Sequence, residues 1–169
     1  IDKPDDVRAE AMRESLLFEL RSPWTVGGKT FPAGALLVAN FDDYLAGKRD
    51  LEMLFEPTAT KSLASYSITH GALLLNELDN VRSRLCVLTR EKGRWVRRSV
   101  PGLPKLGAFD ASAVDPYTSD EFWLEITDFL TPSSLHLGRV GGGEAEKLKQ
   151  TPSFFDASEL VVSQHEAVS

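Results

Sequence analysis

A serine hydrolase needs an exposed nucleophile, a histidine to take its proton and an acid to hold that histidine. None of the fifteen serines in this 169-residue chain has glycine two residues away on both sides, so the Gly-x-Ser-x-Gly elbow is absent. The three histidines, His70, His136 and His165, stand apart, with no His-x-x-x-His spacing or acidic helical pair to mark a metal site. His70 precedes Gly71 in a turn sequence, His136 sits in a strand-like alternation, and His165 lies beside Glu166 in a second one. Structural or solvent-facing roles account for all three. The residues therefore supply no catalytic group, no metal ligand and no cofactor motif, and they single out no substrate-binding position.

Other motifs resolve the same way. Gly27-Gly28-Lys29-Thr30 mimics the end of a phosphate-binding loop, but the first required glycine falls on Pro23, and Phe31-Pro32 cannot open the helix that would hold the phosphates. A Gly-Gly hairpin loop between two strands is the reading that fits. Gly141, Gly142 and Gly143 read as a turn between strands. Asp79-Asn80, followed by Arg82 and Arg84, reads as a turn with solvated arginines rather than a fixed ion pair. The run Arg94-Trp95-Val96-Arg97-Arg98 reads as a charged edge strand rather than a nucleic-acid stripe. Cys86, between Leu85 and Val87, reads as inert core.

The elements that position these groups are short and apolar with a period near two. Strands are expected over 15–21, 35–41, 51–55, 63–69, 72–78, 84–89, 95–100, 109–114, 121–127, 134–140 and 145–149. Only two stretches have helical character: residues 5–14, by composition, and residues 41–48, as one turn with Asp42 as N-cap and Gly47 as stop. Composition agrees with a folded, water-soluble, mostly antiparallel β chain, at 42% hydrophobic and 26% charged residues. With 19 basic against 25 acidic side chains the net charge is -6, which disfavours nucleic acid and anionic membranes as partners. A single cysteine excludes an intramolecular disulfide framework, and no apolar run reaches the roughly 20 residues of a membrane-spanning helix.

Division by a typical domain size predicts one domain. The strands nevertheless repeat. Residues 16–20, 73–78 and 122–126 form three inner apolar strands, each with an acidic residue near its end. Each is followed by a partner strand (36–40, 84–88, 134–138) and a more polar outer strand (51–55, 94–98, 144–148). Units of about 50 residues with three or four strands predict an all-β chain, a partial β-propeller of about three antiparallel blades. A β-sandwich of similar strand count is the competing architecture. The expected blades are about 13–56, 61–104 and 105–152, within a partial propeller over 1–153. Three blades do not close a ring, so the chain reads as an arc of a larger one.

Three segments carry a family resemblance: 24–37 (Trp-Thr-Val-Gly-Gly-Lys-Thr-Phe-Pro-Ala-Gly-Ala-Leu-Leu), 78–85 (Leu-Asp-Asn-Val-Arg-Ser-Arg-Leu) and 155–165 (Phe-Asp-Ala-Ser-Glu-Leu-Val-Val-Ser-Gln-His). Together they resemble the later part of the propeller domain of prolyl oligopeptidase-family serine peptidases. The resemblance implies an arc of a seven-bladed ring that caps an α/β-hydrolase domain with a Ser-Asp-His triad, acts on short peptides and limits which of them enter. It also implies that 154–169 is a linker strand toward that hydrolase domain, which lies outside this chain. No triad position carries over, so the chain alone is expected to be inactive. The implied partners are the hydrolase domain of the same polypeptide and short peptide substrates. Open blade faces add a possible homodimer of the fragment, since burying apolar surface is worth roughly 25 cal/mol per Å². A stand-alone β-rich protein or peptide interaction module without hydrolase activity is the alternative.

Overall fold

The computed structural model describes residues 1–80 and 82–163. His165, the rest of 164–169, and Val81 in the 79–84 turn lie outside the described residues. Two compact units divide the chain, residues 1–64 with 78–80, and residues 65–77 with 81–169.

The first unit is built on β1 (Arg8–Met12), β2 (Ser15–Glu19), β5 (Leu36–Asn40) and β6 (Glu52–Phe55), a four-stranded antiparallel sheet in the order β1-β2-β5-β6. Strands β3 (Trp24–Val26) and β4 (Lys29–Phe31) form a separate hairpin, and α1 (Phe41–Leu45) follows β5 directly. The Gly27-Gly28 turn of that hairpin has φ of 59° and 74°, the left-handed pair that a tight two-residue turn requires. Leu16, Phe18, Leu20, Leu37 and Ala39 share one buried cluster with Phe31 and Tyr44, against which Trp24 and Val26 pack. Phe18 is its centre, 5.5 Å from the Trp24 ring, edge-on, and 4.9 Å from the Tyr44 ring.

Two expectations for this unit are corrected. Residues 5–14 have helix-forming composition, but Arg8–Met12 is a strand, because pairing Ala9 with Phe18 and Ala11 with Leu16 outweighs local propensity. The N-cap of α1 is Asn40, not Asp42: the Asn40 side chain accepts the Asp43 N–H at 3.0 Å, and Asp42 lies inside the first turn.

The remaining strands are β7 (Lys61–Ile68), β8 (Ala72–Asp79), β9 (Arg82–Glu91) and β10 (Arg94–Ser99), in the order β10-β9-β8-β7, then β11 (Ala108–Ala113), β12 (Glu121–Thr127), β13 (Ser134–Arg139) and β14 (Glu146–Gln150), in chain order. The groups of three strands are thus groups of four. Strands β1, β7 and β11 each precede an apolar strand and form the first edge of its sheet, so that apolar strand is second rather than innermost. In the second unit Ala72, Leu74, Leu85 and Val87 from β8 and β9 share a core with Ala111, Phe122 and Leu124 from β11 and β12. The far edges are polar: β14 is exposed along its length, and β10 holds Arg94, Arg97 and Arg98 in solvent. Beyond β14, residues 154–163 carry turns and irregular backbone.

Candidate functional site

The polar groups of the second unit converge on β11. An edge strand leaves every second backbone N–H without a sheet partner, and burial makes each costly. Here side chains of β7 and β8 satisfy them. Asn76 accepts the Ala111 N–H and donates to the Ala111 carbonyl, both at 3.0 Å. Ser67 Oγ accepts the Ala113 N–H at 3.0 Å. The Asn76 amide also donates to Ser65 Oγ at 2.8 Å and to Asp110 Oδ1 at 3.1 Å. Asn76 is 4% exposed directly after Leu73-Leu74-Leu75, so these bonds are what permit an amide in that position.

A second polar contact lies one hairpin end away. Asp120 Oδ1 accepts the Thr69 hydroxyl at 2.8 Å and the Gly71 N–H at 2.6 Å. Thr69 is fully buried, and its N–H closes the β7–β8 turn onto the Ala72 carbonyl at 2.9 Å. Gly71 is needed for closeness: a Cβ there would stand 3.3 Å from the Asp120 carboxylate. The His70 N–H donates to the Ser119 carbonyl at 3.0 Å, and His70 Nδ1 sits 2.6 Å from the Tyr117 carbonyl. The 115–119 loop is shaped by Asp115, whose carboxyl is held below the ordinary aspartate range, first by the Thr118 hydroxyl and then by the Tyr117 N–H.

The groups singled out by chemistry stay dispersed. His136 Nε2 lies 2.9 Å from Ser134 Oγ, a contact that period two gives to neighbours on one strand face. Its cross-strand neighbours are Leu124 and Lys147, neither able to orient the ring as a triad acid does. Cys86 is half-buried; burial pushes its thiol up, the Glu77 charge adds to this, and Arg97 opposes it. It is the reverse of an activated nucleophile. Arg97 pairs with the buried Glu77, and Arg98 with Glu91. Among the described residues no group of three or more His, Cys, Asp or Glu could hold a metal ion. An open groove of about 500 Å³ runs over Val87, Val100, Phe122 and Val140 to the Gly141–Gly143 turn, with its rim arginines, Arg98 and Arg139, paired to Glu91 and Glu121.

What the site can do is hold one sheet to the next. Sequence reasoning missed Asn76, Ser67, Thr69 and Asp120. The available signal was an amide directly after the three leucines Leu73–Leu75 of an apolar strand, since a buried polar group implies a partner.

No family model matches the chain. Two curated relatives are uncharacterized peptidases: one of Sinorhizobium fredii, 31% identical over 156 residues covering 90% of this chain and 21% of that protein, and one of Rickettsia prowazekii, 27% identical over 174 aligned positions covering 100% of this chain and 24% of that protein. The chain thus spans between a fifth and a quarter of their length. A solved post-proline cleaving enzyme from Rickettsia typhi superposes with a TM-score of 0.79 at 26% identity, over 99% of this chain and 24% of that one. A structure from a study of two prolyl endopeptidases matches in fold, with a TM-score of 0.62 at 20% identity, over 89% of this chain and 20% of that one. In sequence and in fold, the chain is a homologue of one propeller segment of the prolyl oligopeptidase-family peptidases.

Proposed function

We propose that this chain is the propeller segment of a prolyl oligopeptidase-like serine peptidase, and that it limits access of short peptides to a catalytic domain carried elsewhere in a longer polypeptide. The observation that carries this reading is the alignment of 99% of the chain with about a quarter of a post-proline cleaving enzyme. The polar contacts support it. A wall that sorts peptides by size must stay closed between its sheets, and the Asn76–Ala111 and Asp120–Gly71 bonds join adjacent sheets without contributing any reacting group. On the same reading residues 154–169 lead from the last blade toward the hydrolase domain.

The test is substrate size. In the longer polypeptide, Asn76→Ala raises kcat/KM for long proline-containing peptides relative to short ones, because the seam beside β11 opens. An unchanged ratio, with the variant folded by circular dichroism, overturns the access role.

A further inference from the structure

The groove of the second unit combines an apolar floor with guanidinium groups that have donors to spare. It lies over Val87, Val100 and Val140 and holds about 500 Å³, the size of a small-ligand site. Both walls belong to this chain: Val87 and Arg98 come from β9 and β10, Phe122 and Arg139 from β12 and β13. It sits at the end of the β11–β14 sheet where Glu121 pairs with Arg139. The segment after β14 leaves from the other end, where the Thr151 N–H bonds the Ser133 carbonyl, and none of residues 151–163 lines the groove.

Charge selects the ligand. The ionisable side chains along the groove are Arg98, Arg139 and Glu91, two guanidiniums against one carboxylate in a chain whose net charge is -6. Arg98 gives Nη1 to Glu91 Oε1 and Thr89 Oγ1, and Arg139 gives Nη2 to Glu121 Oε1. Arg98 Nη2 and Nε, and Arg139 Nη1 and Nε, bond no group among the described residues, and both side chains are more than half exposed. Guanidinium donors left over in this way suit a carboxylate, through charge-assisted bonds. Gly143 adds a steric signal. Gly141 is fixed by its φ of 74°, and a Cβ at Gly142 would stand 3.0 Å from the Arg139 carbonyl, so the turn itself explains both. Gly143 has a φ outside the left-handed region, and a Cβ there would meet nothing within 4 Å. Neither turn nor packing asks for glycine at 143, and bare backbone beside a groove lets another main chain come close.

We propose, resting on the reading of the longer polypeptide as a prolyl oligopeptidase-like peptidase, that this groove binds short apolar peptides by their free C-terminal carboxylate. Cleavage after proline releases such peptides: water adds across the peptide bond, leaving a proline carboxylate on one product and an amine on the other. The proline ring lies over the valine floor, Arg98 and Arg139 offer the carboxylate the donors that Glu91 and Glu121 leave open, and the peptide main chain runs past Gly143.

The test is fluorescence anisotropy of an N-terminally labelled Ala-Ala-Pro peptide with this chain. The peptide is offered as the free acid, as the C-terminal amide, and as an amide with glutamate in place of the first alanine. The acid binds saturably, and both amides bind at least about ten-fold more weakly. Arg98→Gln and Arg139→Gln each weaken the acid about ten-fold and leave the amides unchanged, the loss of one hydrogen bond to a charged group. Gly143→Leu fills open space, so it removes binding of the acid without lowering the unfolding midpoint. No saturable binding, equal binding of acid and amide, a glutamate amide as tight as the acid, or acid binding that survives Gly143→Leu overturns the proposal. A longer polypeptide that hydrolyses no proline peptide, beside a chain that still prefers the acid, would sink the functional reading and leave the ligand of the groove standing.

Discussion

The side-chain amide of Asn76 binds the main chain of Ala111 in both directions, accepting its N–H and donating to its carbonyl, each at 3.0 Å. The amide thus stands in for the neighbouring strand that β11 lacks on that side. Asn76→Ala strands a buried N–H and carbonyl, and an unsatisfied buried group costs about 1–3 kcal/mol. Urea unfolding of the chain should show a loss in that range. Asn76→Asp, whose ionised carboxylate would face the Ala111 carbonyl and the Asp110 carboxylate where the amide donates, should lose at least as much at neutral pH as Asn76→Ala.

Thr69 and Asp120 give a second, separable contact. Thr69→Val keeps the shape of a fully buried side chain but removes the hydroxyl that Asp120 accepts, and it should cost about 1–2 kcal/mol in the same measurement. Because the Thr69 and Asn76 contacts share no partner, the two losses should nearly add in the double variant.

Gly138 is fixed by an aromatic ring. A Cβ at this position would stand 2.3 Å from the Phe122 ring, so Gly138→Ala must displace a buried phenyl group. The expected loss is about 1–3 kcal/mol. Pairing Gly138→Ala with Phe122→Leu should recover part of it, since the smaller side chain vacates the space.

The period-two alternation made the strands legible, and the Gly27-Gly28 pair made the hairpin legible, because both are encoded locally. What escaped was encoded between strands. Arg8–Met12 has a helix former's composition and becomes a strand only through its pairing with β2. The role of Asn76 depends on β11, 35 residues away in sequence, and no local pattern shows which edge strand a buried amide will meet. Asn40 outcompetes Asp42 as helix cap because β5 runs straight into the helix, a boundary set by where pairing with β2 ends.

Acid should loosen the 115–119 loop. The Asp115 carboxyl titrates below its ordinary value, so folding is favoured by its ionised form. That contribution is present above the ordinary aspartate pKa of about 3.9 and is lost as pH falls through the lower folded value. Asp128 behaves alike: despite burial opposing ionisation, the Thr131 and Leu130 N–H groups hold it low. Asp115→Ala should flatten the acid limb of the stability profile below about pH 4, measured by thermal unfolding across pH.

Cys86 should react slowly. Its thiol is pushed up by burial, so little thiolate exists at pH 7. Maleimide labelling of the folded chain should be many-fold slower than in urea. Equal rates would place the sulfur in solvent.

The central claim, that this chain is a segment serving a catalytic domain it does not contain, is tested most directly by proline-peptide hydrolysis. The purified chain and the longer polypeptide are assayed side by side with a chromogenic substrate cleaved after proline. The account predicts turnover by the longer polypeptide and none by the chain. Turnover by the chain, freed of contaminating peptidase, or none by the longer polypeptide, would contradict it.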